Sequence, residues 1–199
     1  SFIISHPEKK ISKQQEKEKK KLAKLRCQGW PLAYLIKNKN FYQLNFMVSP
    51  DVLIPRPESE LIVENVISDI KGKASIVDIG TGSACLIISL ANVLKNNKTI
   101  NYYGLDISSK ALKIARKNAK LHRLDKIIKF YQSNLLQKLI NQIKKETKEY
   151  FILANLPYLT KEEIKQSPSI QKEPKKALDG GKDGLALYQK LFKKIKKIN

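Results

Sequence analysis

The sequence predicts an α/β fold built on an open parallel sheet. Four short apolar runs alternate with segments of helical periodicity, which is typical of strands joined by right-handed helical crossovers. One of those runs is followed by a glycine loop, one by an aspartate and one by an asparagine. These positions lie at the carboxyl ends of the predicted strands, where ligands bind in such sheets. The 199 residues suffice for one main domain and a small additional piece.

The predicted strands are short and rich in β-branched and aromatic residues. They span residues 75–79, 100–105, 127–131 and 150–154, and the last of the four is expected at an edge of the sheet. A helix is predicted over 85–94. Another begins after Ser108, a natural N-cap, and its apolar face holds Ala111, Leu112, Ala115 and Ala119. A final helix carries Leu187, Leu191, Ile195 and Ile198 on one face.

A different pattern precedes the first of these strands. Residues 8–26 are dense in Lys, Glu and Gln, which predicts a solvated helix that Gly29 and Pro31 end. A hairpin is predicted with arms at 41–44 and 45–53. We therefore expect an N-terminal helical segment over 1–40 and the main domain over 41–199.

Between the hairpin and the first strand lies an extended stretch with two prolines, Ile54-Pro55-Arg56-Pro57-Glu58-Ser59-Glu60. A helix is predicted to begin near Glu58, where acidic residues complement the helix dipole. Its predicted apolar stripe consists of Leu61, Ile62, Val66 and Ile70.

The composition limits the function classes only loosely. The formal net charge is +21, and four of the 39 basic residues are arginines, which leaves 35 lysines spread over every predicted helix. Background coding bias is favoured over an anionic partner such as RNA, because arginine is the preferred reader of phosphate and guanine. The cysteines, Cys27 and Cys85, have no zinc-site spacing. Without a secretory signal or a long apolar run, the cytoplasm is the expected compartment.

The glycine loop after the first strand predicts a cofactor site. Gly80 and Gly82 permit a tight turn and close approach of a ligand. The sixth position of a dinucleotide-binding G-x-G-x-x-G motif is Cys85 here, so Asp78-x-Gly80-x-Gly82 is more similar to the first motif of S-adenosyl-L-methionine (AdoMet) methyltransferases. Asp106 ends the next strand, where a carboxylate can accept hydrogen bonds from ribose hydroxyls.

The tetrapeptide Asn155-Leu156-Pro157-Tyr158 follows the fourth strand and predicts the reaction. A planar NH2 group can be methylated only if both of its N–H bonds are held and its nitrogen faces the methyl donor. The Asn155 side-chain oxygen and the Leu156 carbonyl are the two acceptors, Pro157 stiffens the loop and Tyr158 forms an aromatic wall. Catalysis would then be mostly positioning.

These motifs together resemble the PrmC/HemK family, the glutamine N5-methyltransferases that modify the Gly-Gly-Gln loop of peptide-chain release factors. The matching stretches are 31–35, 41–42 with 46–50, 53–60, 77–83, 104–106, 155–158 and 173–178. The resemblance implies a Rossmann-like AdoMet-dependent methyltransferase sheet. It implies that Gly80, Gly82 and Asp106 bind AdoMet, with Asp78, Thr81, Asn134 and Asn155 completing that site. Residues 155–158 would hold the substrate amide, while Arg56 and Glu58 line or brace the pocket.

The sequence departs from the family pattern at four points. Leu156 replaces the first proline of Asn-Pro-Pro-Tyr, Ala84 stands where many members have a third glycine, and Asn134 stands where Asp is frequent. The N-terminal helices look like a remnant of the substrate-binding domain, and the family's last strands are missing. Asn-Leu-Pro-Tyr also occurs in rRNA adenine dimethyltransferases, so adenine N6 methylation of RNA or DNA is an alternative.

Two further alternatives remain at this stage. The same chemistry could act on a ribosomal protein, and a shortened chain could bind AdoMet without turnover. The expected partner is a release factor rather than a nucleic acid or a membrane. The expected state is a monomer.

Overall fold

The fold is centred on a four-stranded parallel sheet. A computed structural model describes residues 8, 11–143 and 149–196. The strands are β3 (Ala74–Ile79), β4 (Asn101–Asp106), β5 (Ile128–Gln132) and β6 (Glu149–Ala154), in the order β5-β4-β3-β6. The four strands are those predicted, within a residue or two at each end, and β6 lies at an edge as expected.

The strand order creates a switch point between β3 and β6. The chain builds the sheet outward from β3 through β4 to β5, and then crosses back to place β6 on the other side of β3. In the register between these two strands, Ile79 pairs with Ala154. The loops after β3 and β6 therefore start side by side at the position where open α/β sheets bind ligands.

Both faces of the sheet are covered. All six residues of β3 are buried, as expected for a central parallel strand. One face packs against α3 (Glu60–Asp69), α4 (Cys85–Val93) and the apolar side of α5 (Ser109–Leu121). The other face packs against the segment that leads into α6 (Ile140–Ile143) and against α8 (Ala186–Ile195).

The helical predictions hold with one correction, which concerns Leu61. Ser108 caps α5, where its hydroxyl accepts from Ala111 N at 3.2 Å, and the predicted apolar residues of that helix are all buried. In α3, which follows a 3-10 turn at Pro57–Ser59, Leu61 is 62% exposed. Val63 is fully buried in its place because it shares a face with Val66. In α8, Ile198 of the predicted stripe lies outside the described residues.

A helix that was not predicted from the sequence forms after β6. Helix α7 (Lys161–Gln166) begins with a capping box in which the Thr160 and Glu163 side chains each bond to the other's backbone N–H. Short 3-10 turns follow at Pro168–Ile170 and Lys175–Ala177. The six residues of α7 are too few to give a clear apolar period, which explains the missed helix.

The N-terminal elements are α1 (Lys13–Cys27) and α2 (Leu32–Leu35). Helix α1 begins at a capping box between Ser12 and Gln15 and buries no residue, as predicted for a solvated helix. Gly29 has a φ of 84°, the left-handed conformation of a C′ glycine. The N-terminal segment joins the rest of the fold through buried Tyr34, whose hydroxyl donates to Val52 O at 2.6 Å.

The predicted bounds of the hairpin are wrong. Its arms are β1 (Asn38–Phe41) and β2 (Leu44–Met47), and both begin earlier in the chain than predicted. Tyr42 and Gln43 form a two-residue turn in which both have positive φ, 47° and 60°. Such turns usually contain Asn or Gly, and because neither residue occurs here the turn was not predicted.

None of the helices in the described ranges is long and apolar enough to cross a bilayer.

Asn118 connects the hairpin to the glycine loop. Its side chain is fully buried on α5, where the oxygen accepts from Met47 N at 2.8 Å. Its amide group donates to Met47 O at 3.0 Å and to Ser83 O at 2.8 Å. One side chain thus satisfies three backbone groups that the fold removes from water.

Replacing Asn118 with Ala is expected to lower the free energy of unfolding by about 2–4 kcal/mol, because buried backbone groups lose their partners. Urea denaturation of the variant measures this change. The matched control is Asn65→Ala on the exposed side of α3, which should stay within about 0.5 kcal/mol of the wild type. Equal stability of the Asn118→Ala and Asn65→Ala proteins would contradict the assignment.

Candidate active site

Two adjacent cavities open at the switch point. The first, here called the glycine-loop cavity, has a volume of about 370 Å³ and contains the loops that follow β3 and β4. The second, here called the Tyr158 cavity, has a volume of about 460 Å³ and lies against Ser167 and the 3-10 turn at Pro168–Ile170. The two share lining residues, which are Leu53, Arg56, Ser59, Asn155, Leu156, Pro157 and Ala177.

The glycine loop is shaped by hydrogen bonds to the end of β4. Gly80 N and Thr81 N both donate to Leu105 O, at 2.8 and 2.9 Å. Gly80 and Gly82 have φ angles of 71° and 54°, which explains the need for glycine at both. Ala84 also has a left-handed backbone, with a φ of 66°, so the loop keeps its turn at the position where a third glycine was expected.

Asp106 closes the loop from the β4 side. Its Oδ2 accepts from Gly82 N at 2.9 Å and its Oδ1 accepts from Ser108 N at 2.8 Å. Partial burial raises the pKa of this carboxyl, and backbone N–H groups lower it in part. A carboxylate offers about four acceptor sites, so Asp106 retains acceptor capacity for a ligand in the glycine-loop cavity. Ile107 and Leu135 supply apolar surface in the same cavity.

Asp78 lies below the loop. It lines the glycine-loop cavity but is only 2% exposed, and the Thr81 hydroxyl donates to its Oδ2 at 2.6 Å. Burial raises the pKa of this carboxyl to about 7, the Thr81 hydrogen bond lowers it, and Asp106 raises it further. Burial also raises the pKa of neighbouring Cys85 to about 12, so that thiol stays protonated and is no nucleophile at neutral pH.

Asn155 stands between the two cavities. Its Nδ2 donates to Ser59 Oγ at 3.0 Å. Ser59 is buried at the end of the Pro57–Ser59 turn, so the proline-rich stretch reaches the tetrapeptide directly. Because the amide nitrogen is hydrogen-bonded to Ser59, the Asn155 side-chain oxygen is directed away from that residue and can accept a hydrogen bond from a ligand.

The rest of the tetrapeptide is enclosed by the chain after β6. The Tyr188 hydroxyl donates to Ala154 O at 3.2 Å and to Leu156 O at 3.3 Å. Gly180 N donates to Leu159 O at 2.8 Å, and a Cβ at position 180 would lie 2.7 Å from Tyr158 Cα. This close approach explains why the 180–184 loop is rich in glycine. Tyr158 itself is 59% exposed at the edge of its cavity.

Arg56 and Glu173 form the charged pair of the site. Glu173 is buried, and its two oxygens accept from Arg56 Nη2 at 2.5 Å and from Ile54 N at 3.1 Å. Arg56 lines both cavities, whereas exposed Glu58 lines the Tyr158 cavity alone. The pair joins the proline-rich stretch to the 173–178 segment and so braces one wall of the site.

The structure brings together every site residue that the sequence predicted. The glycine-loop cavity contains the predicted cofactor residues, which are Asp78, Gly80, Thr81, Gly82, Asp106, Asn134 and Asn155. The Tyr158 cavity contains the predicted substrate residues, which are Arg56, Glu58, Asn155, Leu156, Pro157 and Tyr158. The side chains that were not assigned a role from sequence are Ser59, Ile107, Leu135, Glu173 and Tyr188. Ser59 and Glu173 lie inside matched motifs, but Tyr188 lies outside them.

The chain matches one protein family by sequence and shares its fold with two solved structures. A sequence profile of the N-6 DNA Methylase family matches residues 48–196. Two solved structures share the fold. The catalytic domain of human METTL16 in complex with a MAT2A 3′UTR hairpin superposes with a TM-score of 0.59 and 18% identity, over 79% of this chain and 58% of that one. The METTL16 N-terminal domain with SAH gives 0.52 and 20%, over 79% and 57%.

Curated relatives narrow the class to one family. The release factor glutamine methyltransferase of Dictyoglomus turgidum is 40% identical over 181 residues, covering 89% of this chain and 62% of its own. Those of Buchnera aphidicola and Mycoplasma mycoides are 38% and 39% identical, covering 98% and 99% of this chain and 68% of theirs. The chain belongs to the release factor glutamine methyltransferase family, and it spans about two thirds of the length of these relatives.

The raised pKa of Asp78 gives a pH dependence of stability. The folded state holds a proton that an unfolded carboxyl releases at about pH 4. This group therefore stabilises the fold at low pH, and that contribution is lost as the pH rises through about 7.

We expect Asp78→Asn to remove this loss of folding stability at rising pH. The free energy of unfolding of the variant, relative to that of the wild type, should rise from about pH 5 to about pH 8. Urea denaturation across that range provides the measurement. Exposed Asp125→Asn is the control and should show no such trend. A constant difference between Asp78→Asn and the wild type would mean that Asp78 is already ionised in the folded protein at pH 5.

Proposed function

We propose that this chain transfers a methyl group from AdoMet to the side-chain amide nitrogen of a glutamine, in the Gly-Gly-Gln loop of a peptide-chain release factor. The observation that carries the proposal is the meeting of two cavities at residues 155–157. One cavity has the features of a nucleoside site, and the other is open to a second molecule. The Asn155 oxygen and the Leu156 carbonyl lie where the two would meet.

The residues of the glycine-loop cavity fit AdoMet. The cavity volume of about 370 Å³ is in the range of small-molecule sites. The remaining acceptor sites of Asp106 suit the ribose hydroxyls, and Ile107 with Leu135 offers apolar surface to the adenine. Asn134 lies beside them with an amide that can bond to the adenine edge. When bound, AdoMet supplies an electrophilic methyl group on a sulfonium.

The tetrapeptide provides what an amide nitrogen needs in order to react. The Asn155 oxygen and the Leu156 carbonyl accept the two N–H bonds of the substrate amide, which holds the nitrogen toward the glycine-loop cavity. The substrate nitrogen would take the methyl group from the sulfonium, which would leave as a neutral thioether as its S–CH3 bond breaks. No strongly basic group is required, because the N–H proton becomes acidic only as the new N–C bond forms and can then pass to water in the open Tyr158 cavity. The contribution of the protein is orientation, for which effective molarities of about 10⁵–10⁸ M are available.

The charges around the Tyr158 cavity favour a protein substrate over a nucleic acid. Arg56 is the one basic side chain among the described residues that line this cavity. Its guanidinium is neutralised by buried Glu173, and Glu58 adds a carboxylate that forms no ion pair with the described residues. A phosphate group would therefore meet no uncompensated cation and one anion, whereas a neutral glutamine side chain in a glycine-rich loop would meet no repulsion.

Adenine N6 methylation is the second candidate. The N-6 DNA Methylase profile and the Leu156 variant favour it, since the same two acceptors would also hold an exocyclic adenine NH2 group. The charge distribution of the Tyr158 cavity disfavours it. A chain that binds AdoMet without turnover is the third candidate, and the experiment below separates the three.

Incubation with labelled AdoMet and an intact release factor should place label in the factor. A factor whose loop Gln is replaced by Ala is the matched control and should stay unlabelled, as should bulk rRNA and a ribosomal protein mixture. Mass spectrometry of the labelled peptide should show one methyl group on the glutamine side chain. Label in rRNA alone, or equal label in the replaced factor, would refute the proposal. Binding of AdoMet without any label would support the third candidate.

Two substitutions should separate turnover from cofactor binding. Asn155→Ala should lower kcat by about 10²–10³, since one preorganised hydrogen-bonding group is lost. Asp106→Ala should raise the AdoMet Kd by about 10- to 100-fold, because charge-assisted hydrogen bonds are lost. Calorimetry measures the second effect, and Asn155→Ala should change the Kd much less. The control is exposed Asn96→Ala, which should alter neither quantity. Unchanged turnover in Asn155→Ala would mean that the substrate amide is held elsewhere.

A further inference from the structure

We infer that Ser59 and Tyr188 are positioning residues. Their hydroxyl groups hold the two acceptors of the tetrapeptide, the Asn155 side-chain oxygen and the Leu156 carbonyl, in their reactive orientation. This inference rests on the proposed function, because it concerns how the same amide is held. Ser59 bonds to the side chain of Asn155, and Tyr188 bonds to the carbonyl of Leu156. They lie far apart in the chain and approach the tetrapeptide from different elements.

Ser59 anchors the Asn155 amide, whose donor end lies on the serine oxygen. An asparagine amide presents an acceptor at one end and a donor at the other, and the two ends have nearly the same shape. The Asn155 Nδ2 to Ser59 Oγ hydrogen bond of 3.0 Å places the donor end on the proline-rich stretch. The acceptor end then faces the incoming amide. With the amide rotated by half a turn, its NH2 group would meet the NH2 group of the substrate, and no hydrogen bond could form.

Ser59 is itself well fixed. Its side chain is only 8% exposed and lies at the junction of a 3-10 turn and α3. Ser59 N donates to Arg56 O at 3.0 Å, and the Arg56 side chain forms a salt bridge with buried Glu173. The hydroxyl therefore sits on a segment held from both sides, as a positioning group requires.

Tyr188 fixes the second acceptor. Leucine at position 156 lacks the ring that would fix φ, and only Pro157 after it restricts its backbone. Contacts therefore help to set the direction of its carbonyl. The Tyr188 hydroxyl donates to Ala154 O at 3.2 Å and Leu156 O at 3.3 Å, and so spans the two carbonyls on either side of Asn155. A carbonyl oxygen has two lone pairs, which leaves one on Leu156 O for a substrate N–H.

The position of Tyr188 on α8 makes this contact stable. The neighbouring residues Leu187 and Leu191 pack with it against Val77, Ile79 and the other apolar residues on that face of the sheet. Burial raises the pKa of the Tyr188 phenol, so the hydroxyl keeps its proton and remains a donor at neutral pH. Among the groups described here, Tyr188 is the side chain that donates to the Leu156 carbonyl.

The test compares four variants in the release factor assay, namely Ser59→Ala, Ser59→Thr, Tyr188→Phe and Tyr102→Phe. Ser59→Ala should lower kcat by about 10- to 100-fold and Tyr188→Phe by about tenfold, because small errors in orientation reduce positioning catalysis. The AdoMet Kd from calorimetry should change less than about twofold in both. Ser59→Thr keeps a hydroxyl and should retain most of the wild-type kcat.

Tyr102→Phe is the matched control for the tyrosine. Its hydroxyl is buried and has no hydrogen-bond partner among the described residues, on the face of the sheet away from α8. Removing it should leave kcat unchanged. A Tyr188→Phe protein with the turnover of the Tyr102→Phe protein would refute the role of Tyr188. A parallel loss of kcat, AdoMet affinity and stability would show a role in folding alone and would also refute it.

A measurement that needs no turnover tests the hydrogen bond between Ser59 and Asn155 directly. In 15N-labelled protein, the side-chain NH2 resonances of Asn155, assigned by their loss in Asn155→Ala, should exchange with water at least tenfold more slowly in the wild type than in Ser59→Ala. Equal exchange rates would refute the contact. A wild-type chain that methylates nothing would refute the proposed function and, with it, the catalytic meaning of the two hydroxyls, even if the slow exchange is observed.

Discussion

The pairing of β3 with β6 is the constraint on which the site depends. Ile79 lies opposite Ala154 in this parallel register, so the glycine loop and the tetrapeptide leave the sheet as neighbours. A Cβ at position 80 would lie 3.3 Å from Leu156 Cδ2, which shows how closely the two loops approach. A one-residue slip of β6 would turn each of its side chains to the other face and move Asn155 out of both cavities. Local motifs alone would not make this site.

The walls of the site come from segments far apart in the chain, and partly buried polar contacts connect them. Arg56 and Glu173 are 117 positions apart, and Ser59 and Asn155 are 96 positions apart. Removing one partner of a buried charged pair is costly, because the other charge stays behind without water. The proline-rich stretch therefore acts as a brace between the cavities. It contacts the loop after β6 on one side and the 173–178 segment on the other.

Much of this arrangement could be predicted from the sequence, and the missing parts have physical reasons. The strands were found because their apolar runs are short and bounded, and Asp106 and Asn155 were found because they follow strand ends. The turn at Tyr42 and Gln43 was missed because neither residue is a usual hairpin turn residue. Tyr188 was missed because helical periodicity reports which face is buried, and gives no information on which hydroxyl meets a distant carbonyl.

Leu156 shows how a departure from a family pattern can be compensated. A proline at this position would fix φ through its ring, whereas leucine gives up that restraint but adds a side chain that is 3% exposed. This side chain packs with Val77 and Ile79 on the face of the sheet that α8 covers. Tyr188 on the same helix bonds to the Leu156 carbonyl. Apolar packing and one hydroxyl thus take the place of a covalent ring. The restraint on the Leu156 carbonyl therefore depends on the position of α8.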